Sequence, residues 1–405
     1  MSLVVRKYGG TSVGSTERIL VIADTVVQLL NDGKKPVIVV SAMGDSTDFL
    51  VDLANEVSAK SPDPREYDAL VSTGENVSAA LLSMAIIDKG GKAISLTGPQ
   101  AGIKTETIHS KAKIEDITPT RVQKELDEGK AVIITGFQGL TQNGDVATIG
   151  RGGSDTSAVA MAASLGAKEC EIYTDVDGIY TTDPRLVSSA KKTDLISYDE
   201  MLELASLGAN VLHPRAVEFA KEQDIVLHVR SSFSTEKGTR VKELSTMETT
   251  KPVTGVALKK DEAKLSIIDV PDTPNVAGTI FSNLADHHIN VDMIIQSNEN
   301  DGTNTITFTV SRADYEKAKE NLESTAKTIG ARSVEGANTI SKVSAVGVGM
   351  ISKPGVAAKI FRVLGEADIN IQLITTSEIK VSCVVDESDS EKALAILHDA
   401  FELNL

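Results

Sequence analysis

"VVRKYGGTSVGS", residues 4–15, sets an apolar pair against a lysine, two glycines and a run of hydroxyls. The apolar residues complete a strand pattern, "LVVRKY" (3–8), and Ser15 caps a helical pattern that runs through Glu17 to Gly33. Between them lies a glycine loop ahead of a helix N-terminus. Lys7 supplies a point charge, Gly9 and Gly10 allow close backbone approach, and Thr11 and Ser12 add hydroxyls. Neither GxxxxGK[ST] nor GxGxxG occurs here. On spacing alone the loop is either a phosphate seat or a tight strand-to-helix turn, and both readings stay open.

The same alternation continues outward. Strand-like runs recur at "PVIVVSA" (36–42), "AISLTG" (93–98), "AVIITGF" (131–137), "DVATIG" (145–150), "CEIYTDV" (170–176) and "DIVLHVRS" (224–231). Helical patterns fall at 74–89, 119–129, 154–166, 198–207 and 212–223. Such long Val/Ile runs suit a sheet buried on both faces, which predicts an α/β layer domain over residues 1–231. A polar, Ser/Thr-rich stretch at 232–252 reads as a linker.

Beyond it the chain repeats itself. "PNVAGTIFSNLADHHINVDMII" (274–295) aligns with "PGVAAKIFRVLGEADINIQLIT" (354–375) at a constant offset of 80, with nine identities in 22 positions. Each unit is preceded by a strand pattern and followed by a strand and a helix. The pattern is two ferredoxin-like βαββα modules, 253–335 and 336–405.

Bulk properties narrow the function. The 405 residues carry a formal net charge of −16, which argues against nucleic acid or an anionic membrane as partner. Tryptophan is absent and aromatics are few, so base stacking is disfavoured. No stretch is expected to reach the roughly 20 apolar residues of a membrane span. Cys170 and Cys383 match no metal spacing and suit a reducing compartment. With strand-like sequence at the very start and no apolar leader, a cytoplasmic location is expected.

A second glycine loop favours the phosphate reading. "TIGRGGSDTSAVAMAASLGA" (148–167) places Arg151, Gly152 and Gly153 before Ser154 and Asp155, which open a helix of small residues. An anion held by Arg151 and the helix amides, beside a carboxylate that steers a cation, accounts for this arrangement. An ordinary capped helix with a surface arginine is the plainer alternative.

Five motifs then follow in order: "KYGGTSV" (7–13), "VVSAMGDSTD" (39–48), "STGE" (72–75), "GRGGSDTSA" (150–158) and "YTDVDGIYTTDPR" (173–185). Together with the double module they closely resemble the aspartokinases, members of the amino-acid kinase family, over the whole chain. The resemblance implies an amino-acid kinase domain, an open, mainly parallel sheet sandwiched by helices, followed by two ACT modules. It also implies phosphoryl transfer from ATP, with Mg²⁺, to the side-chain carboxylate of L-aspartate, giving 4-phospho-L-aspartate. A carboxylate is already ionised at neutral pH, so such chemistry needs alignment and charge neutralisation rather than a general base.

By matching positions, the resemblance makes Lys7 and Asp155 catalytic: Lys7 on the β/γ-phosphates, Asp155 orienting it and reaching the metal. Nucleotide contacts would be Lys7, Tyr8, Gly9, Gly10, Ser41, Ser154, Tyr173, Thr174, Asp175, Tyr180 and Arg185. Substrate contacts would be Asp45, Ser46, Thr47, Asp48, Phe49, Glu75, Arg151, Gly152, Gly153 and Ser154, with Arg151 forking onto a carboxylate and Glu75 taking the ammonium. No residue is expected to ligate a metal directly with certainty. Plainer readings exist: Glu75 as a favoured helix-start acid, and "SAMGDSTD" as a polar loop. His213 and His228 read as structural. Some relatives carry lysine at Asn210, which bears on one nucleotide contact.

The modules imply amino-acid effectors, lysine and/or threonine, as feedback inhibitors of an early step toward lysine, threonine, methionine and diaminopimelate. The first effector set would be Asp272, Asn275, Val276, Ala277, Asn290, Val291, Asp292 and Gln296. The second would be Val356, Ala357, Asn370, Ile371, Ser377 and Glu378. Asn275 stands where the second module has Gly355, and asparagine tolerates a positive φ less well than glycine. The modules also suit a homo-oligomer. An α₂β₂ assembly is the other arrangement, its short chain starting at Met247, just downstream of a Lys242–Glu243 pair that can be encoded as a ribosome-binding sequence. Rival readings are a kinase for another small acid, and an amino-acid sensor that keeps an inactive kinase domain.

Overall fold

Leu3–Tyr8 pairs in parallel with Lys35–Val40 on one side and Glu169–Thr174 on the other, so the strand that leads into the first glycine loop lies inside the sheet. The structure, a computed structural model, describes residues 2–58, 61–208, 211–244, 251–299 and 302–405. Asn210 and Met247 lie outside the described residues. Two compact units emerge, Met1–Tyr180 with Lys192–Glu248, and Thr181–Lys191 with Thr249–Leu405.

The first unit is built on an eight-stranded sheet. Its order is Leu195–Ile196, Thr239–Val241, Val226–Ser231, Glu169–Thr174, Leu3–Tyr8, Lys35–Val40, Ala131–Thr135, Ala93–Leu96. All pairings are parallel except that of Val226–Ser231 with Thr239–Val241. The Val/Ile runs are there because both faces are covered. Ile38, Val40 and Ile133 pack with Ile19, Ile22 and Val26 of the Thr16–Asn31 helix and with Ala79, Leu82 and Ile86 of Thr73–Asp88. The Gly153–Ser164 helix is buried from Gly153 to Ala162, and its small residues let it lie close to its neighbours. Parallel strands end on one edge, so the loops after Tyr8, Val40 and Thr135 gather there, as ligand crevices of such sheets require.

Two helices were not legible. "SAMGDSTD" is a loop only as far as Asp45; Ser46–Val57 is helical, with Asp45 at its N-cap. Pro64–Val71 is a second, capped by the Asp63 side chain, and it abuts Thr73–Asp88. The combined stretch Pro64–Asp88 has 25 residues and is long and apolar enough, by length and composition, to cross a membrane, contrary to the expectation above. Half of its apolar window is buried within the unit, and it carries Glu75 into the interior.

The second unit holds one six-stranded antiparallel sheet in the order Val291–Asn298, Thr303–Ser311, Gly255–Pro271, Ser333–Val346, Lys380–Asp386, Leu373–Thr376. The modules are not consecutive blocks. Gly255–Pro271 and Ser333–Val346 are long strands that each serve both: residues 255–259 pair with 342–346 beside the second module, and 262–268 pair with 333–340 beside the first. Val256 therefore packs in the second module's core with Val343, Val381 and Leu394, whereas Leu265 lies in the first with Phe308 and Leu322. Segment Thr181–Lys191 also belongs to this unit. Its Val187 enters the second core, and Thr181 Oγ1 lies 2.9 Å from His398 Nε2. Each repeat starts its helix from a left-handed residue, Asn275 at φ 74° and Gly355 at φ 97°. The turn does need a positive φ, and asparagine is one of the few other residues that tolerate it.

Val256→Ala should destabilise the second module by about 1.5–3 kcal/mol through lost burial and cavity formation. In hydrogen exchange, protection should fall in Lys380–Asp386 more than in Thr303–Ser311; the reverse order would contradict the shared-strand arrangement.

Candidate active site

Lys7 and Tyr8 point to opposite faces of their strand, as β geometry demands. Tyr8 goes into the core, stacked on Tyr173 at 4.7 Å between centroids. Lys7 meets the Gly153–Ser164 helix, where its Nζ lies 2.6 Å from Asp155 Oδ1, both side chains about nine-tenths buried. The two glycine loops, 148 positions apart at these residues, thus converge.

Between them is a cavity of about 310 Å³, lined by Lys7, Gly10, Ser41, Ala42, Gly44, Thr47, Glu75, Phe137 and Gly150 through Asp155. Its floor is backbone. A Cβ on Gly10 would lie 3.1 Å from the Ala42 carbonyl oxygen and 3.3 Å from that of Gly44, so only glycine keeps this approach unstrained. Gly152 has φ +70°, and a Cβ there would overlap the His213 ring. It forms the N-cap of the Gly153–Ser164 helix, whose positive end faces the cavity. Arg151 is exposed at the lining.

Glu75 is the opposite charge. It is 3 % exposed in the first turn of Thr73–Asp88 and accepts from the Ala42 amide at 3.3 Å through Oε1. Its Oε2 has no partner among the described residues. Burial raises its pKa to about 7, against the pull of the amide bonds.

The sequence-derived candidates divide accordingly. Lys7, Gly10, Ser41, Thr47, Glu75, Arg151, Gly152, Gly153, Ser154 and Asp155 share the cavity. Gly9 lies against Lys7, where a Cβ would sit 3.4 Å from Nζ. Tyr8 does not line the cavity: strand alternation turns its ring into the core, the residue is 3 % exposed, and its carbonyl accepts from the Ser41 amide. Asp45, Ser46, Asp48 and Phe49 do not line the cavity. Ser46 Oγ donates to the Met43 carbonyl, and Phe49 is 63 % exposed. Tyr173, Thr174, Asp175 and Tyr180 lie outside it too, at and beyond the end of Glu169–Thr174, where the Tyr173 carbonyl accepts from Gly9. Arg185 belongs to the second unit and forks onto Asp183. Phe137, held at φ 69° on the cavity wall, was missed because nothing in "TGFQG" marks it.

Other polar clusters are structural. His213 caps the Pro214–Glu222 helix, and burial lowers its pKa. Glu169, Glu171 and His228 approach one another, but Arg6 and Arg230 already neutralise Glu171 and Arg240 neutralises Glu169.

In the second unit the effector candidates fall at the two helix starts and on the edge strands that follow. Asp272 accepts from Asn304 and Asp292 pairs with Lys342. Asn275, Ala277, Asn290 and Gln296 are exposed, as are Asn370, Ser377 and Glu378; Val291, Ala357 and Ile371 are half-buried. Val356 turns into the core, so its side chain is not free for a ligand.

The model of the amino acid kinase family matches residues 2–231, and the ACT domain model matches 266–325 and 343–401. An aspartokinase of Bacillus sp. (strain MGA3) is 51 % identical over 404 residues, covering 100 % of this chain and 98 % of that one. The chain belongs to the aspartokinases. Among solved structures, E. coli aspartokinase III in complex with aspartate and ADP (R-state) superposes with a TM-score of 0.81 at 26 % identity, covering 99 % of this chain and 100 % of that one. The same enzyme with lysine and aspartate (T-state) gives 0.78 at 28 % identity, covering 99 % of both chains.

Glu75 gives a pH prediction. The unfolded chain's glutamate ionises near 4.3, while the folded one holds its proton to about 7. Between these values the native state binds more protons, so this group lowers stability as pH rises from about 4 to about 7. Glu75→Gln, measured by urea unfolding, should therefore be more favourable relative to the parent at pH 8 than at pH 5, by roughly 2–4 kcal/mol. An equal difference at both pH values would contradict the assignment.

Proposed function

We propose that the cavity is where phosphoryl transfer occurs, with Lys7 on the transferring phosphoryl group and Asp155 aiming Lys7. The enzyme is an aspartate kinase that phosphorylates the side-chain carboxylate of L-aspartate under allosteric control by its ACT domains. The carrying observation is the Lys7–Asp155 pair at 2.6 Å in one cavity with Arg151 and Glu75. The phosphate seat beside Lys7 would use the amides of Gly9, Gly10 and the Gly153–Ser164 helix end. Arg151 would fork onto the aspartate carboxylate, and the unpartnered Oε2 of Glu75 would take the ammonium. That choice selects an amino acid over a plain dicarboxylate. Thr174, Asp175 and Tyr180 would hold the rest of the nucleotide.

The phosphate donor is ATP in this reading, with Mg²⁺. The donor set fits that ion: a hard cation that keeps waters needs one or two carboxylates plus phosphate oxygens, and Asp155 offers the carboxylate. When bound, Mg²⁺ neutralises phosphate charge. Lysine and threonine would act from the ACT modules, on a cytoplasmic enzyme of the lysine, threonine, methionine and diaminopimelate branch. Assembly would run through the modules, as a homo-oligomer or as α₂β₂ with a chain begun at Met247.

Lys7→Ala should lower turnover by about 10²–10³-fold in an ADP-release assay with aspartate, while leaving effector binding to the full chain unchanged. Turnover that survives would overturn the role of Lys7. Lysine or threonine, alone or together, should change aspartate affinity by about 5–150-fold; indifference to both would remove them as effectors.

A further inference from the structure

Arg151 is exposed, so the direction of its guanidinium depends on the backbone beneath it. That backbone is held at the Ile149 carbonyl by Arg215 and, at Thr148, by a buried carboxylate. Asp68, in the Pro64–Val71 helix, has no exposed surface. Its Oδ1 accepts from Thr148 Oγ1 at 2.6 Å, and its Oδ2 from the Thr148 amide at 3.0 Å. The Ser110 amide donates to both oxygens, at 2.9 and 3.1 Å, and His109 Nδ1 lies 2.8 Å from Oδ2.

These partners flank the Arg151 turn. Thr148 ends the Val146–Thr148 strand, two residues before Gly150. The Ser110 carbonyl lies so close to Gly150 that a Cβ there would sit 3.2 Å from it, and Ser110 itself holds φ +68°. A non-glycine residue in that region persists only where its surroundings over-determine it. Asp68 supplies the over-determination.

A carboxylate suits the task because it only accepts, whereas an amide would turn a donor toward an amide N–H. A buried charge is a costly route to stability, and what it gains in exchange is one fixed geometry.

We propose that Asp68 is a positioning residue for the kinase reaction: it fixes the Thr148–Arg151 turn so that Arg151 meets the aspartate carboxylate in register. This rests on the reading of Arg151 given above. The test is steady-state kinetics on the full chain. Asp68→Asn should raise KM for aspartate by about 10–100-fold, the scale of a misplacement near 1 Å, and leave KM for ATP within about twofold. Combined with Arg151→Ala, Asp68→Asn should add less than about twofold, because its effect passes through Arg151. Equal changes in both KM values, no change in either, or full additivity with Arg151→Ala would overturn the proposal. Should Asp68→Asn fail to fold, Thr148→Val and Thr148→Ser decide: Val should raise KM for aspartate several-fold and Ser should restore it. If Val behaves as the parent, the proposal fails. If Arg151→Ala alone leaves KM for aspartate unchanged, the Arg151 reading falls first and this inference with it.

Discussion

The pair between Lys7 and Asp155 joins a strand at the start of the chain to a helix encoded far downstream. Both side chains are largely out of water, where a lone charge would be expensive. Such pairs add little net stability over apolar packing, but removing one partner strands the other. The arrangement is therefore better understood through what it presents: a cation held by Asp155 in a cavity lined by two glycine loops and a helix N-terminus. Gly10, Gly152 and the first turn of the Gly153–Ser164 helix only form that floor because the strand ends they follow lie on one edge of a parallel sheet.

The surrounding scaffold serves that edge. The buried Val/Ile strands Lys35–Val40 and Ala131–Thr135 form the packed middle of the sheet, and the Gly153–Ser164 helix, small-residued apart from Val159 and Met161, can pack near enough to bring Asp155 to Lys7. The second unit has a different logic. Its two long central strands run through both modules, so a change of pairing in one half is carried by the same backbone into the other. The register of that pairing shifts between Lys259 and Lys264, where one module's half of the strand gives way to the other's.

Much of this was legible in the sequence for physical reasons. Apolar runs with flanking glycines fix the buried strands, and the offset of 80 fixes the repeat. Lys7, Arg151 and Asp155 stood out as charges beside glycines ahead of a helix, whereas Glu75 was singled out only by the resemblance of "STGE". What escaped was tertiary. Ser46–Val57 has polar residues at its start that also suit a loop, and Pro64–Val71 is too short to show a period. The turn of the Tyr8 ring into the core was hidden because a motif does not say which face of a strand a residue takes. The interleaving of the modules was hidden because a strand's two halves look alike in sequence. Phe137 and Asp68 carry no local signature at all; their significance lies in what other segments bring to them.

The cavity's charge follows from these placements. Lys7 is answered by Asp155, so the pair contributes little net charge, and Arg151 remains the exposed cation. Glu75, buried with one oxygen unpartnered, is poised near neutrality between its protonated and ionised forms. An ammonium group arriving at that oxygen would stabilise the ionised form and lower the pKa, so under the proposed reading the substrate would itself bring Glu75 into its binding state. A dicarboxylate without the ammonium would meet a carboxyl that has no cation to compensate it, and would be repelled once that carboxyl ionised. In the proposed reading, discrimination for an amino acid would come from desolvation of one glutamate, and phosphoryl transfer to an already ionised carboxylate leaves no task for a histidine base.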